Sequence, residues 1–417
     1  MVVRRVTFRL YPKLAAAKKL LWARRMHALL YNAAIANRKT QYEKFGHCVD
    51  YYEQQNSLPA FKQVWPEYKE LGSHTLQATL KRVDLAYQSF FKGLRGKPKF
   101  KSIRHYSGWT YPDKAGWKAH ATGNNGYLEL TDLKLSIQMR GKARTWGTPT
   151  TCTIVYRNGL WYASITVECN PVRKTDAGAV GLDFGIYHAV AMSDGTLIEN
   201  PKFLSKSQEK VKKASKQKRR KRAPNFRKKV KASKRWKKAT KRVSKLQRKI
   251  ANSRQDWTHK VATQIVSSNS MVATEELNLK GMTRKAKKGS KRKAQKTGLN
   301  RSMLDVGIGN LTKVIEYKLQ EAGGFLVKVP TKKVKPSQTC PNCGHQRKKD
   351  LSERLHDCSE CGYTDDRDVA AAKVMLSWAL GTNALNRGSC TSTSIPQATG
   401  GWQQVWELKR QKPTPQR

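Results

Sequence analysis

Hydrophobic and polar positions alternate from the first residue: VVRRVTFRLYP reads as a strand ended by Pro12. From Lys13 to about Gly46 the period changes. Leu14, Leu20, Leu21, Ala23, Met26, Leu29, Leu30 and Ala33 recur at helical spacing. A loop around Leu58-Pro59 precedes a second apolar face made by Leu76, Leu80, Val83, Ala86, Tyr87 and Phe90. Residues 13–95 therefore read as a small helical domain. At Arg95-Gly96-Lys97-Pro98 the texture shifts to short β-type runs (YLEL, LSIQM, TCTIVY, WYASITVEC) separated by turn signals such as Asn124-Asn125-Gly126. Arg157-Asn158-Gly159 fits a hairpin between the last two runs. An antiparallel barrel or sheet is expected here, completed by the first strand.

Residues 178–200 predict three short strands with tight glycine-containing turns, the opening meander of an α/β domain. The block 201–250 holds 24 Lys/Arg and one acid, Glu209. Its stretch KQKRRKRAPNFRKK is too charged to fold alone. Beyond it, Trp236, Ala239, Val243, Leu246, Ile250, Trp257, Val261 and Ile265 predict one long amphipathic helix with a basic opposite face. MVATEEL reads as a strand, 280–296 as a basic mobile loop, and 303–321 as a helix ended by Gly323-Gly324. FLVKVP is a strand and DRDVAAAKVMLSWAL a final helix. The Ser/Thr/Gly/Gln/Pro-rich tail after Gly381 reads as unstructured, with Trp402 and Trp406 able to dock.

Charge changes the picture most. The 417 residues include 83 Lys+Arg against 29 Asp+Glu, a formal net charge of +54. Self-repulsion at that density opposes a compact state unless a polyanion neutralises it, and nucleic acid is the expected one. With 11 Trp, 15 Tyr and 10 Phe, the chain can bury real cores and is more than a disordered basic tail. The N-terminus lacks the apolar region of a secretory signal. No run approaches the ~18 apolar residues of a membrane span, so no membrane partner is expected.

Cys48, Cys152, Cys169 and Cys390 are scattered singly, whereas Cys340, Cys343, Cys358 and Cys361 form two tight pairs, each followed by Gly344 or Gly362. That is metal spacing in a reducing, cytoplasmic compartment, not a secreted disulfide framework. Four thiolates with no open position describe one structural Zn²⁺. His345 and His356 are nearby but are expected to be non-ligands.

With so few acids, a carboxylate in an apolar strand is conspicuous. Asp183 sits in Val180-Gly181-Leu182-Asp183-Phe184-Gly185, Glu275 ends Met271-Val272-Ala273-Thr274, and Asp368 opens the last helix. A buried strand acid is unfavourable unless paired or metal-bound. In an RNase H-type fold the first strand, the fourth strand and a late helix meet at one edge. Three carboxylates there can hold two Mg²⁺ about 3.5–4 Å apart for in-line phosphodiester hydrolysis. Asp365, Asp366 and Glu276 compete for the same roles, and spacing alone does not choose among them.

Longer motifs carry a resemblance over nearly the whole chain to about residue 380. They are Phe8-Arg9-Leu10-Tyr11-Pro12, Leu76-Gln77 with Ala86-Tyr87 and Phe90-Phe91, and Lys97-Pro98-Lys99-Phe100-Lys101. Gly181-Leu182-Asp183-Phe184-Gly185, Glu275-Glu276-Leu277-Asn278-Leu279-Lys280-Gly281-Met282 and Asp366-Arg367-Asp368 with Ala371-Ala372 look like three RuvC motifs. Ser337-Gln338-Thr339-Cys340 leads into the ribbon, and Asn252, Arg254, Asp256 and His259-Lys260 fit the stretch before the second motif. The chain thus resembles TnpB, a family of transposon-encoded RNA-guided nucleases related to type V CRISPR effectors. Ala370 stands where that family usually has Asn, and Lys335-Pro336 where Tyr-Thr commonly precedes Ser-Gln.

The resemblance implies a multidomain α/β fold. An RNase H-like (RuvC) nuclease domain would occupy 173–339 and 363–380, with an inserted four-cysteine zinc ribbon at 340–362. A wedge-like β-barrel that binds nucleic acid would combine 1–12 and 96–172, interrupted by a helical recognition domain at 13–95, and 381–417 would be a disordered tail. It assigns the catalytic, Mg²⁺-binding roles to Asp183, Glu275 and Asp368, and makes Glu276 a non-ligand. It implies an RNA-guided, Mg²⁺-dependent endonuclease that takes a guide RNA from the transposon end and cuts double-stranded target DNA beside a short flanking motif, with base pairing reading the sequence. The 206–249 cations would contact phosphate. Phe226 could stack on a base, whereas helix packing is the favoured reading of Trp236. Two rivals stand beside this: a nuclease-inactive RNA-guided DNA-binding regulator, which should lack one of the acids, and a DDE-type transposase, which should need transposon ends and no RNA.

Overall fold

Strand β1 (Val2–Tyr11) buries Phe8 and Leu10 on alternate positions, as the period of a half-buried strand requires. Helix α1 (Leu14–Phe45) follows and ends at Gly46, whose φ of 64° suits a residue without a side chain. Two short helices, α2 (Tyr51–Asn56) and α3 (Leu58–Val64), occupy the segment expected to be a loop. Asp50 makes the first possible by accepting the Glu53 N–H at 2.8 Å as an N-cap. Helix α4 (Ser73–Phe91) then leads to β2 (Gly108–Tyr111), β3 (Trp117–His120), β4 (Gly126–Leu130), β5 (Leu135–Arg140), β6 (Thr148–Arg157) and β7 (Leu160–Cys169). The structure, a computed structural model, describes residues 2–382 except 226, 227, 229, 287, 288, 290 and 351. The readings made for Phe226, Trp402 and Trp406 lie outside the described residues.

These strands form a nearly closed seven-stranded sheet in the order β2-β6-β7-β1-β5-β4-β3. The β6–β7 hairpin turns on Asn158 (φ 54°) and Gly159 (φ 81°), the positive-φ pair of a tight hairpin turn. One core joins the sheet to α1 and α4: Leu20, Met26, Leu30, Leu76, Leu80 and Val83 cluster with Phe8, Trp109, Tyr111 and Trp161. Two polar side chains inside it are tied to the framework. Arg24 donates to the carbonyls of Tyr106, at 2.7 Å, and Ile103. His27 stacks on Trp109 (5.4 Å, 10°) and shares a 2.9 Å hydrogen bond with Thr79. Together residues 1–171 make one compact unit.

The second unit, residues 172–417, starts with β8 (Gly178–Asp183), β9 (His188–Met192) and β10 (Leu197–Glu199). Helices α5 (Phe203–Arg219) and α6 (Lys234–Ser268) intervene before β11 (Asn269–Glu275). After α7 (Leu279–Met282), helices α8 (Lys293–Val306) and α9 (Ile308–Glu321) lead to β12 (Phe325–Val329) and α10 (Thr331–Val334). A two-stranded ribbon, β13 (Leu355–Asp357) and β14 (Thr364–Asp366), precedes α11 (Arg367–Leu380). The main sheet runs β10-β9-β8-β11-β12. Its first three strands are antiparallel, and β11 runs parallel to both β8 and β12.

The basic region also holds α5, on which no expectation stood: it forms because Leu204, Val211 and Ala214 give its cationic sequence a narrow inward stripe, of which Ala214 is buried. Two expectations need correcting. The helix expected at 303–321 is two helices, and α8 begins inside the segment expected to be a mobile loop. The break is Gly307, whose φ is 75° and where an added Cβ would sit 3.3 Å from Arg254 Cδ.

Both faces of the main sheet are covered. Val180, Leu182 and Val272 pack with Val261, Ile265, Leu311 and Ile315 of α6 and α9. Ala273 and Val329 pack with Val374 and Met375 of α11. Gly181 is where α11 comes closest, since an added Cβ there would lie 1.9 Å from the Ala372 carbonyl oxygen. Among the described residues no helix is long and apolar enough to cross a membrane.

Candidate active site and metal centre

Strand parity places the two strand acids. Side chains two apart share a sheet face, so Asp183 follows Gly181 onto the α11 side of β8, and Glu275 follows Ala273 onto the same side of β11. Leu182 pairs with Thr274 in the parallel ladder, which puts the acids at the ends of neighbouring strands. Asp368 comes from the first turn of α11, the helix packed on that face. The loop after β8 closes the arrangement: a Cβ on Gly185 would stand 3.9 Å from Asp368 Oδ2.

The electrostatics follow from this convergence. Asp183 keeps some accessible surface, yet enclosure of its carboxyl, followed by the charges of Glu275 and Asp368, lifts it to about 8. Burial also raises Glu275. Two arginines face the cluster. Arg367 lies 3.4 Å from Asp368 Oδ1, and Arg354 lies 4.0 Å from Asp368 Oδ2. Sequence reasoning singled out neither role, because one arginine among 83 Lys+Arg carries no signal. Carboxylate oxygens are hard donors of the kind that divalent cations such as Mg²⁺ take, and among the described residues the three acids are not drawn together as tightly as the four cysteines are.

The competing acids have other partners. Asp366 is the N-cap of α11, accepting from the N–H groups of Asp368 and Val369 at 2.9 and 3.2 Å. Asp365 accepts from Lys373 at 2.7 Å and from the Tyr363 hydroxyl at 2.6 Å. Glu276 is exposed beyond the end of β11.

Cys340, Cys343, Cys358 and Cys361 bring their sulfurs within 4.8 Å of one another. Two knuckles shape the cluster. The Cys340 N–H donates to the His345 carbonyl and the Gly344 N–H to that of Cys340. Cys358, Tyr363 and Gly362 repeat the pattern. The Cys340–Cys361 and Cys343–Cys358 separations are 3.7 and 3.6 Å, close to the sulfur edge of about 3.8 Å that a tetrahedron with zinc–sulfur bonds of ~2.3 Å requires. The four thiols therefore fit zinc. Neither His345 nor His356 belongs to this cluster.

The basic helices are paired with each other. Trp236, in the first turn of α6, has Lys218 of α5 over its ring at 5.3 Å, so the ring takes part in helix contact. Two grooves on this unit share Arg301: one is lined by Leu204, Lys212 and Arg219, the other by Lys291 and Lys293.

Comparison with known proteins adds an independent line. A family model described as "Probable transposase" (OrfB_IS605) matches residues 163–286, and one described as "Cas12f1-like, TNB domain" matches 309–375. The chain is 30% identical over 377 residues to InsQ of Escherichia coli strain K12, which bears the name of an RNA-guided DNA endonuclease, covering 88% of this chain and 89% of that one. A Streptomyces pristinaespiralis protein with the same kind of name is 29% identical over 395 residues, covering 93% and 92%. In fold, the chain is similar to the protein in a Cas12f1–sgRNA–target DNA complex, with a TM-score of 0.53 at 14% identity, covering 86% of this chain and 82% of that one.

Proposed function

We propose, on the premise that this chain belongs to the TnpB (OrfB) family, that it is an RNA-guided DNA endonuclease whose cutting centre is Asp183, Glu275 and Asp368. The observation that carries the reading is that Glu275 of β11 and Asp368 of α11 come near enough to Asp183 of β8 to add to the burial that lifts it to about 8. The sheet order, with a three-stranded antiparallel meander leading into parallel strands, supports reading 173–339 and 363–380 as an RNase H-like, RuvC-type domain. Asp183, Glu275 and Asp368 would hold divalent ions such as Mg²⁺, which would supply Lewis-acid stabilisation to an in-line phosphodiester displacement. The chain's own part is positional. Two strands fix Asp183 and Glu275, the Asp366 cap orients the first turn that carries Asp368, and Arg354 and Arg367 set positive charge beside the acids for a phosphate to approach.

The remaining assignments rest on the same premise. The ribbon at 340–362 holds one structural Zn²⁺. Residues 1–12 with 96–172 form the wedge-like barrel, and 13–95 the recognition helices. A guide RNA from the transposon end and a target duplex with a flanking motif are the partners, in a prokaryotic cytoplasm. The cations of α5 and α6 grip phosphates, a sequence-independent contact that leaves base pairing to read the target.

Sequencing the RNA bound to the purified protein, then assaying cleavage of a matched target with a randomised flank in Mg²⁺, tests the reading. A defined RNA and motif-dependent cutting are expected. Target binding without cutting would replace the proposal with a nuclease-inactive regulator. Strand joining at transposon ends without RNA would replace it with a DDE-type transposase.

A further inference from the structure

The loop between β8 and β9 runs along the rim of the carboxylate cluster. It passes Asp368 at Gly185 and then presents Tyr187, which is 65% exposed. The loop is held in place: Asn200 donates from Nδ2 to the Ile186 carbonyl at 2.8 Å. The Tyr187 ring is also braced. His188 meets it edge-on at 4.7 Å and 89°, and the Arg354 guanidinium lies 5.6 Å from its centroid. The same guanidinium reaches to 4.0 Å from Asp368 Oδ2. A large ring thus stands in solvent at the rim, with one cation between it and a carboxylate of the proposed cutting centre.

Isolated exposed aromatics are common on protein surfaces. This one differs in its place and bracing. A strand whose phosphate enters the carboxylate cluster must put its flanking bases within a few ångströms of the rim, because adjacent phosphates and bases are covalently tied. A braced aromatic ring is a sequence-tolerant partner for the face of an unpaired base, and a neighbouring guanidinium adds to the attraction. We propose that Tyr187 is the stacking platform for a nucleobase next to the bond that is cut, so that it positions the strand rather than taking part in the chemistry. The inference rests on the nuclease reading above and deepens it.

The test uses the full chain with its guide RNA and matched targets carrying a single abasic nucleotide, or a single 2-aminopurine, at successive positions around the cut. Tyr187→Ala should weaken cutting about tenfold, mostly as a higher half-saturating target concentration, whereas Tyr187→Phe should stay within about twofold. One abasic position should slow the parent by a similar factor and leave Tyr187→Ala no slower than it already is. Equal cutting by Tyr187→Ala and parent, or an abasic penalty that adds fully to the variant's, overturns the inference while the nuclease reading stands. If the parent fails to cut any target, the nuclease reading falls, and 2-aminopurine fluorescence still decides stacking. Quenching at one position that Tyr187→Ala relieves supports the platform, and no Tyr187-dependent quenching at any position rejects it. Melting curves of the variants check folding, which replacement of so exposed a ring should leave unchanged.

Discussion

The two units differ in how their buried carboxylates are answered. In residues 1–171 Asp84 and Asp132 are met from within. Arg38 pairs with Asp84 at 3.3 Å and donates to Gln54 at 3.0 Å. Asp132 accepts from the Tyr111 hydroxyl and from the N–H groups of Gly72 and Leu133. In residues 172–417 acids and thiols gather with groups of their own kind. Glu275 and Asp368 add to the burial that raises Asp183, and four thiol sulfurs lie within 4.8 Å of one another. Satisfied polar groups fix how a core packs. Unsatisfied ones of matched chemistry mark where a ligand belongs. The contrast marks the second unit as the one that carries candidate ligand sites without reference to any family.

The strongest way to break the comparison is Asp183→Ala. Cutting should fall by ~10³-fold or more, as the proposed role of Asp183 in holding metal with the other two acids requires, while the bound RNA persists through purification. Near-normal cleavage in a turnover assay would remove the catalytic assignment. Next is the double change Cys340→Ser with Cys343→Ser. It should release zinc, measured by elemental analysis, and increase hydrogen exchange across 340–366, because bound metal supplies folding free energy to so small a ribbon. Exchange in residues 1–171 should not move, and metal content equal to the parent's would contradict the zinc assignment.

A subtler contrast is in pH. Burial, with Arg82 second, holds His27 down to about 3 from its usual 6.5. At His27 the folded protein therefore binds fewer protons than the unfolded chain. The stability this brings is complete above about 6.5 and is lost as pH falls toward 3. Asp183 has the reverse sign. Raised from 3.8 to about 8 in the metal-free protein, it favours folding fully below about 4, and that contribution disappears as pH rises through 8. Peptide-resolved hydrogen exchange of chelated protein should show opposite slopes in the peptides around His27 and around Asp183. His27→Gln should flatten the first, and Asp183→Asn or added Mg²⁺ the second. Parallel slopes would show that the assigned groups do not govern them. The smallest effect expected is that of Gly159→Ala, about 1 kcal/mol from forcing a side chain into positive φ in open space. A melting curve should place that loss in the first unit.

Much of this was legible from residue pattern. Alternation located β1 and β4 through β12, Asn158-Gly159 marked its hairpin, and the apolar stripe from Trp236 to Ile265 marked α6. Local period cannot show pairing across the chain, so the insertion of β1 between β7 and β5 was hidden. Dense charge masked α5 and the start of α8, where a few apolar residues suffice because packing supplies the rest. At the site, rarity made the acids visible. Setting Asp368 apart from Asp365 and Asp366 by physical means required the helix cap and the Lys373 contact, both of them three-dimensional facts. Arg354 and Tyr187 gave no sequence signal, since each matters through what the fold places beside it.

Gly181 acts as a gauge block. With only a hydrogen between β8 and the Ala372 carbonyl, the seating depth of α11 is set by backbone against backbone rather than by adaptable side chains. The span between Asp183 on the strand and Asp368 on the helix inherits that tolerance. A single methyl at Gly181 would act as a shim, lifting one jaw of the centre away from the other while every acid remained in the chain.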